Sequence, residues 1–314
     1  MSPDVTGHDF ARARDGQGPL LTVKGLCKEF ALRRSAADWV NRSKAERVAA
    51  VQDLSFTLNR GETLGIAGES GSGKTTAVRC LIRLVEPDAG DITFAGIDVR
   101  VASGRDLRDV RRRMQMVFQD PYASLNPRMR TGDAIVEAGR VHHRPGSENA
   151  DSFQADLLEL VNLPKSVARK RPHELSGGQR QRIAIARALA VGPEILIADE
   201  ALSALDVSVQ AQLLNLFQDL KRELGLTMIF VAHQLSIIAQ TADQVAIMYR
   251  GKVVEQGPVA DIFSHPQDPY TRALLAAHPQ PDPDQRLAVQ FVDDAMRAGS
   301  ESARTDSADA GGVP

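Results

Sequence analysis

Residues 68–76 read Gly68-Glu69-Ser70-Gly71-Ser72-Gly73-Lys74-Thr75-Thr76, and residues 68–75 fit the pattern G-x-x-x-x-G-K-[S/T]. The apolar residues 63–67 predict a strand before this pattern, and the spacing of residues 77–84 predicts a helix after it. In such a unit the glycines let backbone N–H groups converge on an anion, and the helix N-terminus adds partial positive charge. The alternative is a glycine-rich turn without a ligand, and the flanks on both sides argue against it. The stretch therefore predicts a site for a nucleoside triphosphate.

The totals describe an ordinary globular chain without bulk attraction to nucleic acid or anionic lipid. Charged residues make up 25% of the 314 residues, and the net charge is −2. The two cysteines, Cys27 and Cys80, lie far apart and form no metal-ligand cluster, which suits a reducing compartment. No apolar run in the sequence approaches the length of about 20 residues that a transmembrane helix needs. The start of the sequence lacks the apolar core of a signal peptide. We expect a cytoplasmic chain, which an integral partner can hold at a membrane.

Strands alternate with helices along most of the chain, which predicts an α/β fold. Residues 121–190 differ, because they carry several helical patterns and few strand signals. The basic run at residues 111–113 lacks an aromatic platform, so we interpret it as a solvated face rather than a nucleic-acid surface. Strands are predicted at residues 20–24, 27–30, 51–58, 63–67, 91–94, 114–118, 195–198, 227–232, 244–249 and 252–255, and helices at residues 77–84, 107–113, 153–163, 180–189 and 209–224.

Two acidic residues, Asp199 and Glu200, end a continuous apolar run at residues 195–198. Open α/β sheets bind ligands at the carboxyl ends of their strands, so we expect Asp199 beside the phosphate loop. There it would hold Mg²⁺ together with the Thr75 hydroxyl, while Lys74 reaches the β- and γ-phosphates. Glu200 is placed to orient and deprotonate the attacking water. A surface Asp-Glu pair at a strand end is the alternative, and the phosphate loop weighs against it.

A second anion-binding feature lies at residues 175–179. Ser176 fits a helix N-cap before residues 180–189, which are rich in alanine and isoleucine and have high helix propensity. Gly177 and Gly178 let backbone N–H groups approach an anion closely. A simple capped helix is the alternative. One nucleotide has no evident use for two such sites within one subunit.

Together these motifs resemble the ATP-binding cassette (ABC) ATPases over residues 20–280. Residues 68–75 resemble the Walker A loop, residues 175–179 the signature, residues 195–200 Walker B and residues 203–206 the D-loop. The resemblance implies a P-loop NTPase (RecA-like) ABC ATPase core with an antiparallel β subdomain and an inserted α-helical subdomain. In that family two cassettes meet head to tail, and each signature faces the γ-phosphate held by the other Walker A loop. The second anion site would then serve a partner cassette, either a paralogue or a second copy of this chain.

The resemblance also assigns single residues. Gln119 resembles the Q-loop residue beside Mg²⁺ or water, His233 the switch histidine, and Phe30 the aromatic that stacks on adenine. A core phenylalanine at position 30 is an open alternative. The implied catalytic residues are Glu200, His233 and Gln119, the implied Mg²⁺ ligands are Thr75, Gln119 and Asp199, and the implied ATP-binding residues are Phe30, Gly68, Glu69, Ser70, Gly71, Ser72, Gly73, Lys74, Thr75, Thr76, Ser176, Gly177, Gly178, Gln179 and Asp206.

The implied domain organisation has a nucleotide-binding domain at its centre. Its parts are an N-terminal tail (residues 1–19), the nucleotide-binding domain (20–265, with the ATPase core at 20–118 and 191–265 and the helical subdomain at 119–190), a C-terminal extension (266–290) and a disordered tail (291–314).

Several stretches resemble one branch of the family, the oligopeptide and dipeptide importers. They are residues 120–128, residues 204–210, residues 265–275 and the polar insertion before Ala50. This implies an ATPase subunit at the cytoplasmic face of the inner membrane, acting with two integral permease subunits and, indirectly, an extracytoplasmic solute-binding protein. Nickel and glutathione importers share these features, so those solutes stay open beside peptides. Many members hold an iron–sulfur centre on later cysteines, but the sequence has no cysteine after Cys80 and we expect no such centre.

Two positions depart from the family pattern. Ala201 stands where proline usually follows the catalytic acid, and Gln234 stands where aspartate usually follows the switch histidine. Neither change removes a reacting group, so we expect hydrolytic activity, with altered positioning of Glu200 or His233 left open.

Other classes of ATPase fit less well. A DNA-repair or chromosome ATPase needs a long coiled-coil insert, and the interval between Gln119 and Leu175 is too short for one. A translation-associated protein would carry two cassettes in one chain, whereas the sequence has one phosphate loop. A small-molecule kinase does not need a second anion site such as residues 175–179. A non-catalytic binding module does not need the candidate catalytic residues Glu200 and His233.

Overall fold

The structure is a computed structural model that describes residues 18–31, 47–120, 124–203 and 205–277. Residues 1–17 of the predicted N-terminal tail, residues 32–46 of the polar insertion, the C-terminal extension after residue 277 and the predicted disordered tail lie outside these described residues.

Within the described residues, strands and helices alternate as predicted. The strands are β1 (Leu21–Ala31), β2 (Arg47–Leu58), β3 (Thr63–Ala67), β4 (Ala89–Phe94), β5 (Ile97–Asp98), β6 (Met114–Val117), β7 (Ile195–Asp199), β8 (Thr227–Ala232), β9 (Gln244–Tyr249) and β10 (Lys252–Pro258). The α-helices are α1 (Lys74–Leu81), α2 (Gly104–Arg113), α3 (Thr131–Val141), α4 (Ala150–Leu160), α5 (Gly177–Leu189), α6 (Val207–Leu224), α7 (Leu235–Thr241), α8 (Val259–Ser264) and α9 (Pro269–Ala277). Two 3₁₀ turns, Lys165–Arg169 and Pro172–Glu174, lie between α4 and α5.

One mixed sheet organises these elements, with the strand order β5-β4-β1-β2-β10-β9-β3-β8-β7-β6. Strands β9, β3, β8, β7 and β6 pair in parallel, whereas β1 pairs antiparallel with β2 and with β4. The described part of residues 121–190 holds helices and turns and no strand. This arrangement confirms the predicted α/β fold with an antiparallel β part.

The continuous apolar runs of the parallel strands result from burial on both faces. Along β7, Ile195 and Ile197 belong to one hydrophobic core, and Leu196 and Ala198 belong to the other. Since successive side chains of a strand point to opposite faces, a strand covered on both sides is apolar at every position. One core also contains residues of helices α3 to α7, and the other contains residues of α1, β1, β2 and β4.

The interpretation of residues 111–113 as a solvated face is wrong for Arg111 and Arg113. Arg111 donates from Nε to the Ile82 carbonyl at 3.0 Å and from Nη2 to the Arg83 carbonyl at 2.7 Å. These carbonyls lie just past the end of α1, where a helix leaves backbone acceptors without intrahelical partners. The arginine therefore ties α2 to the end of the helix that follows the phosphate loop.

A second arginine of this run, Arg113, takes part in a half-buried ion-pair network. Arg113 donates to one carboxylate oxygen of Glu194, and Arg60 Nη1 lies 2.6 Å from the other. The Arg113 guanidinium also lies 4.8 Å from the centroid of the Phe94 ring. Burial raises the pKa of Glu194, but the hydrogen bonds from Arg113 and Arg60 outweigh it, so the pKa lies below its ordinary value of 4.5. The network joins β4, α2 and the segment before β7.

We predict that Glu194→Gln lowers the free energy of unfolding at neutral pH by about 1.5–3 kcal/mol, the range for hydrogen bonds to charged groups. Because the folded-state pKa is depressed, the stabilisation is present in full above the unfolded-state pKa. It is lost as the pH falls from that value through the folded-state pKa. Urea denaturation of both proteins at several pH values should show a difference that shrinks towards acid. Glu223→Gln, at an exposed position on α6, is the matched control. A difference that stays constant down to acidic pH would contradict this assignment.

Candidate functional site

The predicted site residues follow the carboxyl ends of neighbouring parallel strands. In the sheet, Ala67 at the end of β3 pairs with Ala232 at the end of β8, and Asp199 at the end of β7 pairs with Val231. Parallel pairing brings these carboxyl ends to one edge, where open α/β sheets bind ligands. The predicted site residues come after these strands: the phosphate loop follows β3, Gln119 follows β6, Glu200 follows β7 and His233 follows β8.

The phosphate loop needs its glycines for backbone reasons. Gly68, Gly71 and Gly73 have φ angles of 146°, 81° and 104°, in the region that side-chain-bearing residues rarely adopt. A Cβ atom at Gly73 would also lie 1.9 Å from the Ala50 carbonyl oxygen. Helix α1 begins directly afterwards at Lys74. The loop is thus a tight turn that ends at a helix N-terminus, as an anion site requires.

Lys74 is buried and holds its own loop together. Its ammonium group donates to the carbonyls of Gly68 and Glu69, both at 2.8 Å, and lies 3.8 Å from Oε1 of Glu200. Burial lowers the pKa of Lys74, and the carboxylates of Glu200, Asp199 and Glu69 oppose that shift. The side chain is 3% exposed, so these partners compensate a charge that is largely removed from water.

Thr75 and Asp199 form a second pair at the loop. The Thr75 hydroxyl donates to Oδ1 of Asp199 at 2.8 Å, and Asp199 is 2% exposed. Burial raises the pKa of Asp199, and the hydrogen bond from Thr75 opposes that shift. A hydroxyl and a carboxylate at hydrogen-bonding distance are oxygen ligands of the kind that Mg²⁺ prefers. The residues present therefore fit a magnesium ion.

Glu200 sits in an uncommon backbone conformation, with φ at 47°. Its N–H donates to the Val231 carbonyl at 3.0 Å, and its own carbonyl accepts from the Ser203 hydroxyl at 2.9 Å. The Gln119 amide donates to the same Ser203 hydroxyl at 3.3 Å. The predicted Q-loop residue is thus linked through Ser203 to the backbone of the predicted base.

His233 follows β8 and shares a small pocket with Glu200, Ser203 and Gln234. It is half-buried. Gln234, one of the two departures from the family pattern, is the N-cap residue of α7 and makes no side-chain cap hydrogen bond. Ala201, the other departure, is buried in the turn after Glu200.

The predicted N-cap at Ser176 is present. The Ser176 hydroxyl accepts from the N–H of Gln179 at 3.3 Å, and the Gln179 side chain accepts in return from the N–H of Ser176 at 3.2 Å, which completes a capping box. A Cβ atom at Gly177 would lie 3.1 Å from Leu205, and one at Gly178 would lie 2.6 Å from Val209. The signature glycines therefore contact the start of α6, and the structure does not bring them against the phosphate loop of the same chain.

Two further predicted residues lie on the surface. Phe30 is 43% exposed, so the alternative of a core phenylalanine is wrong. The Lys28 ammonium lies 5.4 Å from the centroid of its ring. Asp206 is the exposed N-cap residue of α6, and the N–H of Gln210 donates to its carbonyl at 2.8 Å. The remaining loop residues Glu69, Ser70 and Gly71 are exposed, Ser72 is buried, and Thr76 is half-buried.

The loop also makes a contact that no sequence motif indicates. The hydroxyl of Tyr270, on α9, accepts from the N–H of Glu69 at 3.1 Å. In the sequence, the stretch that contains this tyrosine, residues 265–275, indicates only the family branch. A local pattern cannot indicate a contact between residues 201 positions apart.

None of the helices in the described parts of the chain is both long and apolar enough to span a bilayer.

The chain is similar to known proteins over most of its length. A family model described as ABC transporter matches residues 51–203, and one described as oligopeptide/dipeptide transporter, C-terminal region, matches residues 254–299. A peptide import ATP-binding protein of Brucella ovis is 45% identical over 274 residues, which cover 87% of this chain and 83% of that protein. The glutathione import ATP-binding protein GsiA of Pectobacterium atrosepticum is 47% identical over 87% of this chain, and the chain spans 43% of its length.

Solved structures of the same fold include the following two. A dimeric post-hydrolysis state of the ATP-binding cassette MJ0796, bound to ADP and Pi, matches with a TM-score of 0.65 and 25% identity over 76% of this chain and 98% of that one. CbiO1 from Clostridium perfringens, part of the ABC transporter complex CbiONQ, matches with a TM-score of 0.67 and 25% identity over 79% of this chain and 92% of that one.

The fold and the site thus define an ATP-binding cassette ATPase. The chain belongs to the ATP-binding subunits of ABC importers, in the oligopeptide/dipeptide family. As such it binds and hydrolyses ATP as one component of a multi-subunit transporter.

Proposed function

We propose that this chain powers the uptake of peptides by hydrolysing MgATP between its own phosphate loop and the signature of a second cassette. The observation that carries the proposal is the convergence of Lys74, Thr75, Asp199 and Glu200 at one edge of the sheet. The match of residues 254–299 to the C-terminal region of oligopeptide/dipeptide transporters supports peptides as the solute. Glutathione is the second candidate, since GsiA is similar to this chain. Nickel stays a third candidate on the sequence resemblance alone.

Nucleotide binding would begin with the loop and the exposed aromatic ring. Backbone N–H groups between Ser70 and Thr76 would surround the β- and γ-phosphates. The Lys74 ammonium has three N–H donors; two bind the loop carbonyls and hold it beside the loop, and the third would reach a phosphate oxygen. Phe30 is exposed and would stack on the adenine, a contact worth about 1–3 kcal/mol that tolerates different bases.

Three residues would hold the magnesium ion, namely Thr75, Asp199 and Gln119. Thr75 and Asp199 already lie at hydrogen-bonding distance from each other. Gln119 comes shortly after β6, the strand that pairs with β7. When bound, the ion neutralises charge on the phosphates.

Water attack would depend on Glu200. Its carboxylate lies close to the Lys74 ammonium, so a water that it holds would lie near the γ-phosphate that Lys74 contacts. Glu200 would accept the proton of this water, and His233, which lines the same pocket, would contact the γ-phosphate. Hydrogen bonds of the Glu200 backbone to the Val231 carbonyl and to the Ser203 hydroxyl keep Glu200 in place. The Gln119 amide donates to the same Ser203 hydroxyl.

A second cassette would complete each site. The signature helix has the N–H groups of Gly177 and Gly178 in its first turn and a capped N-terminus, both suited to an anion. Asp206 is exposed, and the neighbouring Val207 is 82% exposed, as expected at a surface that pairs with another subunit. The dimeric state of MJ0796 supports this arrangement. The partner would be a paralogue or a second copy of this chain.

Two integral permeases and an extracytoplasmic solute-binding protein would complete the importer, with this chain at the cytoplasmic face of the inner membrane. A groove beside Gln119 supports the proposal that a permease segment docks there. The groove opens between β6, α3 and α5, and Phe118 at its edge directly precedes Gln119. It is lined in part by Phe118, Glu137, Val141 and Arg187. Val141 is 66% exposed and offers an apolar contact there.

The catalytic assignment predicts that Glu200→Gln retains ATP binding while hydrolysis falls by about 10²–10⁴-fold, the usual cost of removing a general base. Turnover of purified protein and equilibrium binding of a fluorescent ATP analogue measure the two properties separately. Lys74→Ala is the contrasting variant, because it should lose binding as well. Equal turnover by wild-type and Glu200→Gln protein would exclude this role.

The solute assignment is tested by uptake in cells. Deletion of the gene should abolish uptake of labelled di- and oligopeptides, and the wild-type chain should restore it, whereas Glu200→Gln should not. Parallel assays with labelled glutathione and with nickel distinguish the other candidates. Peptide uptake that survives the deletion while glutathione or nickel uptake is lost would replace peptides by that solute.

A further inference from the structure

The C-terminal helix α9 contacts the phosphate loop through one buried side chain. Tyr270 is 1% exposed, and its hydroxyl accepts from the N–H of Glu69 at 3.1 Å. Burial raises the pKa of Tyr270 to about 12, so the hydroxyl stays neutral at physiological pH. This contact lies outside the parallel strands that carry the other site residues.

The contact matters because of the peptide group that it holds. The N–H of Glu69 and the carbonyl of Gly68 belong to the same planar peptide, in which the two groups point in opposite directions. Lys74 donates to that carbonyl at 2.8 Å. Tyr270 and Lys74 therefore hold one peptide group from its two sides, and a rotation of this group would move the acceptor of the Lys74 ammonium.

Tyr270 is itself held firmly. Its ring packs against Tyr249 at the end of β9, with the ring centroids 4.3 Å apart. Asp268 accepts from the N–H of Tyr270 at 2.8 Å. Glu255 on β10 accepts in turn from the N–H groups of Gln267 at 2.8 Å and Asp268 at 3.1 Å. The start of α9 is thus fixed to two strands of the sheet, which makes its tyrosine a rigid support for the loop.

We propose that Tyr270 is a positioning residue for ATP binding: it orients the Gly68–Glu69 peptide and so places the Lys74 ammonium for the phosphates. The inference rests on the proposed role of Lys74 in binding ATP. It gives the C-terminal segment a direct part in nucleotide affinity, in addition to its packing against β10.

The test compares Tyr270→Phe with Thr271→Val in the full-length protein. The first variant keeps the ring and removes the hydroxyl that holds the loop. The second removes the hydroxyl of the next residue, which is fully buried on the same helix and interacts with Glu255 on β10. We expect Tyr270→Phe to raise the Kd and KM for MgATP about two- to tenfold, as for the loss of one hydrogen bond. Thr271→Val should leave both unchanged.

Amide hydrogen exchange adds a readout that does not depend on ATP. In the nucleotide-free protein, the peptide that covers residues 64–74 should exchange faster in Tyr270→Phe than in Thr271→Val. Unchanged affinity in Tyr270→Phe would overturn the proposal, as would an equal loss of affinity in both variants. Lys74→Ala separates the two levels of inference. If that variant still binds ATP, the proposed function fails, whereas if it loses ATP and Tyr270→Phe does not, only the role of Tyr270 fails.

Discussion

The parallel pairing of β3, β8, β7 and β6 is the constraint on which the site depends. Parallel strands end at the same edge, so residues far apart in sequence become neighbours once the register is set. The pairing of Asp199 with Val231 places the end of β7 beside the end of β8, and the Glu200 N–H then binds the Val231 carbonyl. Burial of the strands on both faces stabilises this register. A slip by one residue would turn every side chain of the strand to the opposite face and so move it into the other hydrophobic core.

The same edge explains the electrostatics of the site. Lys74 and Asp199 are both buried, and burial disfavours the charged form of each. They are tolerated because loop carbonyls and the Thr75 hydroxyl compensate them. A triphosphate with a divalent ion would supply a stronger partner for each charge, which favours the bound state. The signature helix stands outside this edge, and on the proposed function its anion-binding terminus serves a second cassette.

Much of the fold could be predicted from the sequence because its strands are apolar runs between turn residues. Strands β3, β8 and β9 have the predicted bounds. The positions of the carboxylates at the end of β7 and of the histidine after β8 were predictable because parallel strands bring their carboxyl ends together. What could not be predicted were contacts between distant surfaces. Arg111 looked solvated because a basic run contains no sign of the helix end that it caps, and Tyr270 reaches the loop across 201 positions.

The most direct test of the shared site is ATP turnover by Ser176→Arg, measured beside the ATP affinity of the same variant. The arginine would occupy the terminus that faces the partner's nucleotide while leaving its own phosphate loop intact. Turnover should fall at least about a hundredfold, comparable with the loss of a transition-state donor, and the affinity of the chain for ATP should be retained. Full turnover by Ser176→Arg, under conditions in which Lys74→Ala is inactive, would show that each chain hydrolyses ATP without a partner.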